Sequence, residues 1–319
     1  MGKALKLKPW LLILNLVFIN LSAWADDEPL EQQEVTEAVN NLIGKIEQDY
    51  LLDEKRGQIV EYLTMALNRG EFNGHFPFPR LKMKLESMLI SVSNDSNFEI
   101  HWRSGLTSSM EAPDIFFPGA IQTQLLDRDI GYLAIDGDFL NDSWRRDIDD
   151  AIEFLSDSKA LIIDLRSAGL TSMSFSQYVL SYFIPVGQPL SNLTFGHSKT
   201  APIVSVGTEN PVNSDVPVFI VTSPFVAGSW EFVAYTLKHA KRATIVGMPT
   251  MGLGYMTTTT KLSEHLSLVM AYAEFQHPET NESWKDIGVL PDVESNADDA
   301  MEVTLELVND AITNNLNVE

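Results

Sequence analysis

Three apolar runs constrain this chain more than any other feature. ALIIDLRS (160–167), VPVFIVTS (216–223) and ATIVG (243–247) are continuous, not alternating. Strands of that kind are buried on both faces and belong to parallel sheets. Helix-period segments separate them. WRRDIDDAIEFLSDS (144–158) sets Ile148, Ala151, Ile152 and Leu155 on one face, and SFSQYVLSYF (174–183) and SWEFVAYTLKHA (229–240) follow. IGYLAIDGDF (130–139) reads as a further strand leading into a turn. This alternation predicts an α/β core with right-handed crossovers. TTTTKLSEHLSLVMAYAEF (257–275) reads as a β-hairpin, and NADDAMEVTLELVNDAI (296–312) as a closing helix.

The first part of the chain is different. Val35, Val39, Leu42, Ile43 and Ile46, then Ile59, Leu63, Ala66 and Leu67, recur at helical spacing. Tyr50-Leu51-Leu52-Asp53 interrupts the period, and Gly70 suits a helix C-terminus. A helical hairpin is expected, continued by LKMKLESMLISVS (81–93), before the pattern turns to strands with FEIHWRS from about residue 97. The expected organisation is a leader over 1–25, a helical subdomain over 26–95 and an α/β core over 96–319.

The leader rests on MGKALKLKPW, with three lysines and no acid, followed by the apolar LLILNLVFINLSAWA ending in Ala23-Trp24-Ala25. That combination reads as a secretory signal peptide cleaved after Ala25, with a retained membrane anchor as the alternative. Bacterial periplasm or secretion is the expected location. With no cysteine in the chain, disulfides, thiolate metal sites, a cysteine nucleophile and a lipid-modified N-terminus all drop out. A net charge of −22 disfavours nucleic acid and anionic lipid as partners and leaves a basic partner open. No cofactor or metal is expected, and oligomeric state is not legible.

Five segments in order carry a family resemblance: GYLAIDG (131–137), LIIDLRS (161–167), VFIVTS (218–223), EFVAYTLKHAKRATIVG (231–247) and IGVLPDV (287–293). Together they resemble the tail-specific (C-terminal-processing) proteases, a family of serine peptidases. The similarity is to the branch that includes interphotoreceptor retinoid-binding protein and lacks an inserted PDZ domain. About 28 residues separate the strand near 97 from IGYLAIDG, too few for such an insert. The resemblance implies a crotonase/ClpP-like ββα superhelix behind an N-terminal helical subdomain.

It also implies a serine, a base and oxyanion donors, and each matching position departs from the pattern. Over TSPFVAGSWEFVAY (222–235), Gly228 falls where the family has its serine and Val226 where it has a threonine. Ser229 is the alternative nucleophile, displaced one helical step and so turned by about 100°. Its bland reading is a first-turn hydroxyl capping backbone amides. In the oxyanion stretch, Ala168 replaces an asparagine and Leu170 and Thr171 replace paired glycines, with Gly169 alone retained. Tyr255 stands where some members carry histidine, no lysine occurs over 243–260, and Asp95-Ser96-Asn97-Phe98 lacks the histidine of a D-x-H-L segment, although His101 is close by. Glu231 matches an acid of the pattern and equally suits the positive end of a helix. Asp292 is read as fixing a turn after Pro291.

Two functions follow. The first is an exported, non-hydrolysing relative whose former cleft (Gly228, Ser229, Glu231, Ala168, Gly169, Leu170, Thr171, Tyr255) binds a peptide, a protein terminus or an apolar ligand. The second is an active serine peptidase using Ser229 with an unconventional base such as His101 or Tyr255. Acyl-CoA chemistry on the same fold is disfavoured by export and by the missing glycines.

Overall fold

The computed structural model describes residues 29–103 and 119–316. The expected signal peptide lies outside them. Helices α1 (Gln32–Asp49) and α2 (Asp53–Asn68) form the expected hairpin, and Gly70 beyond the end of α2 takes φ 73°, the left-handed value that favours glycine. Helix α3 (Phe78–Ser93) follows. Their apolar stripes, including Val35, Leu42, Ile46, Leu63 and Leu85, close over β1 (Glu99–Trp102) and over Leu266, Leu268 and Met270 of a much later strand. The helical hairpin thus shares its core with the second half of the chain.

The α/β unit has a six-stranded sheet in the order β11-β8-β7-β4-β3-β2. Its strands are β2 (Ile121–Leu126), β3 (Ile130–Phe139), β4 (Ala160–Thr171), β7 (Val218–Thr222), β8 (Thr244–Gly247) and β11 (Val293–Glu294). All neighbours are parallel except β2, which runs antiparallel to β3. The apolar runs supply β4 and β7, where Ala160–Leu165 and all five residues of β7 are buried. Helices α4 (Arg145–Phe154), α5 (Met173–Leu180) and α6 (Ser229–His239) cover one face, and α7 (Ala300–Leu316) covers the other. Trp230 of α6 is fully buried, its ring edge-on to Phe139 and Phe175. A side chain of that size contributes about 2–3 kcal/mol by leaving water.

A second sheet runs β1-β10-β5-β6, with β9 (Tyr255–Lys261) also on β10 (Leu266–Gln276). β9 lies along one edge of β10, while β1 and then β5 (Pro189–Phe195) share the other. β6 (Lys199–Val204) ends the sheet, with Pro202 in a mostly exposed strand. The β9–β10 hairpin matches the expected one. Neither β2 nor the β5–β6 hairpin was legible in the sequence.

No helix among the described residues is long and apolar enough to cross a membrane.

Candidate functional site

β7 ends at Thr222, and the chain turns through 223–228 into α6. Ser223 Oγ reaches the Arg166 carbonyl at 3.4 Å and Met251 N–H donates to Val226 O at 2.9 Å, pinning the turn between β4 and the 250–254 loop. Gly228 caps α6 with φ 56° and ψ −121°. Only glycine enters that region without strain. It is the kind of strained strand-to-helix turn on which a nucleophile is held out from a sheet. A Cβ built on Gly228 would meet nothing within 4 Å, so the position opens into free space.

Ser229, the first residue of α6, is half-buried. Its hydroxyl makes no hydrogen bond among the described residues, which corrects the expectation that it caps the helix. Glu231 does the capping. It is fully buried, and its carboxylate accepts from Gly228 N–H (2.9 Å), the Thr250 hydroxyl (2.5 Å), Gly252 N–H (2.6 Å) and Leu253 N–H (2.7 Å). Four donors satisfy the buried charge and clamp the 250–254 loop to the mouth of α6. Thr250 Oγ1 also accepts from Val289 N–H at 2.7 Å. Gly288 (φ 77°) lies so close that a Cβ there would run into the Thr250 carbonyl.

The expected oxyanion stretch is not a loop. β4 continues through it to Thr171, paired with β3 as far as Phe139. Leu170 N–H donates at 2.7 Å to Asp138 Oδ1 on the neighbouring strand. A Cβ on Gly169 would collide with the same carboxylate and with the Gly137 carbonyl. Ala168 is buried and Leu170 points out, 64% exposed. An amide aligned with the family's glycine pair is therefore already occupied by an internal anion.

No base stands by. His101 lies opposite Ser267 and pairs with Glu99 at 2.8 Å. Ser267 is eight residues along β10 from Phe275, which stacks on Phe232 of α6. At about 3.3 Å per residue, that places His101 roughly 25 Å from the α6 end of the strand. His75, His197 and His265 have their own partners in Glu31, Arg56 and Glu34, and His239 packs on His277 with ring centroids 5.0 Å apart. Burial pushes the Tyr255 hydroxyl up despite Lys285, whose ammonium sits 5.0 Å from its ring centroid. Burial works against the charge of Lys285, but the Tyr255 hydroxyl and Glu274, 3.3 Å away, outweigh it and hold the amine above its ordinary value. Both groups keep their protons at neutral pH.

Sequence reasoning missed Lys285, which arrives from another loop, and Asp138, whose role depends on strand register. The second had a faint signal in Gly137-Asp138 at the end of a strand beside the oxyanion stretch. Asn97, aligned with a family histidine, donates from Nδ2 at 2.6 Å to the buried carboxylate of Asp95, which also accepts the Tyr50 hydroxyl at 2.9 Å. Asp292 does more than shape a turn: Oδ2 accepts Ile245 N–H at 2.9 Å and Oδ1 lies 3.1 Å from Lys238. Among the described residues, no three acids or histidines are grouped to hold a metal.

A parallel sheet whose strand–turn–helix elbow faces a clamped glycine-bearing loop places the chain in the α/β class. More narrowly, the chain belongs to peptidase family S41, whose sequence profile matches residues 129–295. The fold is similar to that of a lipoprotein from Streptococcus agalactiae (15% identity, TM-score 0.63, covering 87% of this chain and 96% of that one). It is also similar to that of a candidate peptidase from Parabacteroides merdae (15% identity, TM-score 0.60, 88% and 97%). The photosystem II D1 C-terminal processing protease aligns over a smaller part (22% identity, TM-score 0.48, 63% and 48%).

Proposed function

We propose that this chain is an exported S41 relative that does not hydrolyse peptides and uses the former cleft to bind an extended peptide or a protein terminus. Gly228 carries the proposal: the strained elbow is kept and the residue on it has no side chain. The occupied Leu170 amide and the protonated state of Tyr255 and Lys285 support the same reading, because replacing the nucleophile alone would leave both other requirements unmet. Loss of a nucleophile by itself costs orders of magnitude in rate.

Two features favour an extended peptide as ligand. β4 pairs with β7 only over Leu161–Asp164, so its continuation to Thr171 has β3 on one side and no strand on the other among the described residues. Main-chain bonding to such an edge does not require a catalytic serine. Leu170 near its end, Phe225 (76% exposed) in the adjoining turn, and Met251 and Leu253 in the loop held to that turn are apolar side chains turned to solvent. The likeness of the leader to a signal peptide supports export.

A fluorophosphonate probe tests the chemistry. The expected result is no labelling of the full chain. Stoichiometric labelling that disappears in Ser229→Ala would overturn the proposal.

A further inference from the structure

A second hollow lies at the opposite end of α6, about 16 Å from Gly228 along the eleven-residue helix. It is a cavity of about 400 Å³ where β7 begins, α6 ends and β8 begins. Three cations line it, and they differ in how they are satisfied. Lys238 is engaged, 3.1 Å from Asp292 and donating to Leu290 O at 2.5 Å. Arg242 gives Nη1 to Val216 O and Nη2 to Asn213 O, both at 2.9 Å, while its buried Nε has no partner. Two of five guanidinium N–H groups are thus used, both on neutral carbonyls. Lys241, exposed in a left-handed conformation (φ 55°), has no carboxylate partner among the described residues.

Two unpaired cations beside one cavity are unexpected in a chain with 44 acids and 22 bases. The helix dipole accounts for Lys238 and Lys241 at a C-terminal end. It does not account for Arg242, which lies past the helix and folds back onto residues 213–216. Arg242 is half-buried and lies over the Phe183 ring, 5.7 Å from its centroid, with no carboxylate paired to it among the described residues. Burial alone pushes the guanidinium below its ordinary pKa, as expected of a cation with no acid beside it.

We propose that this hollow binds an organic monocarboxylate, held by Arg242 and Lys241 with its apolar part against Val216 and Pro217. The charge selects a monoanion. Asp215 also lines the cavity, so with Lys238 and Asp292 paired to each other the remainder is two cations against one acid. A phosphate dianion would be left half compensated. The N–H groups left on Nη1 and Nη2 are spaced to meet the two oxygens of a carboxylate, while the buried Nε stays out of reach. The carboxylate can come from a free short-chain acid or from a peptide C-terminus.

The test is a chemical-shift titration of the ¹⁵N-labelled full chain with four probes: hexanoate, inorganic phosphate, N-acetyl trialanine and its C-terminal amide. Saturable shifts at the amides of 214–216, 218–219 and 238–244 are expected for at least one carboxylate, and none for the peptide amide. Hexanoate alone would assign a free acid, and the trialanine acid a chain terminus. Lys241→Gln, at an exposed position, is expected to weaken binding about three-fold. Arg242→Lys keeps the charge but loses the fork and is expected to weaken it about ten-fold. No saturation by either carboxylate up to about 50 mM, tighter binding of phosphate, equal binding of the peptide amide, or unchanged affinity in both variants would overturn the proposal.

Discussion

Glu231→Gln is the most informative single change, because one carboxylate joins the elbow to the loop facing it. Oε1 accepts from Thr250 and Gly252, and Oε2 from Gly228 and Leu253. Glutamine keeps one oxygen and replaces the other with an NH2 group, which would face two donors it cannot accept from. Hydrogen bonds to a charged group contribute about 1.5–3 kcal/mol each, and donors left buried add their desolvation cost. Relief from burying a carboxylate offsets part of that. The net is a loss of about 3 kcal/mol, or roughly 6 °C in Tm for a domain of this size. Circular dichroism during heating and urea unfolding at pH 7 measure it. Hydrogen exchange supplies the local readout: the Gly252 and Leu253 amides are expected to exchange faster in the variant, ahead of global unfolding. A variant within about 1 kcal/mol of wild type, with those amides still protected, would refute the clamp.

Gly228→Ser is expected to yield neither peptide hydrolysis nor fluorophosphonate labelling, because the Leu170 amide is taken and no base among the described residues is in reach; turnover above a heat-inactivated control would show otherwise. Gly228→Ala, with open space around the new Cβ but φ 56° and ψ −121°, is expected to cost only the backbone strain of about 1–3 kcal/mol. Gly288→Ala adds a collision with the Thr250 backbone and is expected to cost more, the two being ranked by urea midpoint. Burial tends to raise the carboxyl of Asp164, but its bonds to Arg166 and Tyr132 outweigh this and hold it below the ordinary value. A depressed folded pKa means the contribution is present above about pH 4 and is lost as pH falls through the lowered value. Asp164→Asn is therefore expected to be less stable than wild type at pH 7, with the gap in urea midpoint narrowing towards pH 2–3.

What the sequence made legible follows from where each signal is written. β3, expected over IGYLAIDGDF, spans Ile130–Phe139, and β4, β7 and β8 rise from runs whose burial on both faces leaves a continuous apolar pattern. β6 reads as nothing in particular because five of its six residues are exposed and one is proline. β2 escapes for a related reason, an edge strand whose polar residues face water. The site divides along the same line. Gly228, Glu231 and Leu170 are visible because a family pattern can be laid over them one residue at a time. The partners that decide their chemistry cannot be seen that way: Asp138 lies 32 positions from the amide it occupies, and Thr250 lies 19 positions from the carboxylate it binds. Those distances in sequence are closed by strand register and by a loop folding back, properties of the assembled sheet. The elbow therefore has its supporting structure written into the assembled sheet, since the four bonds to Glu231 join the mouth of α6 to the 250–254 loop whatever side chain stands at 228.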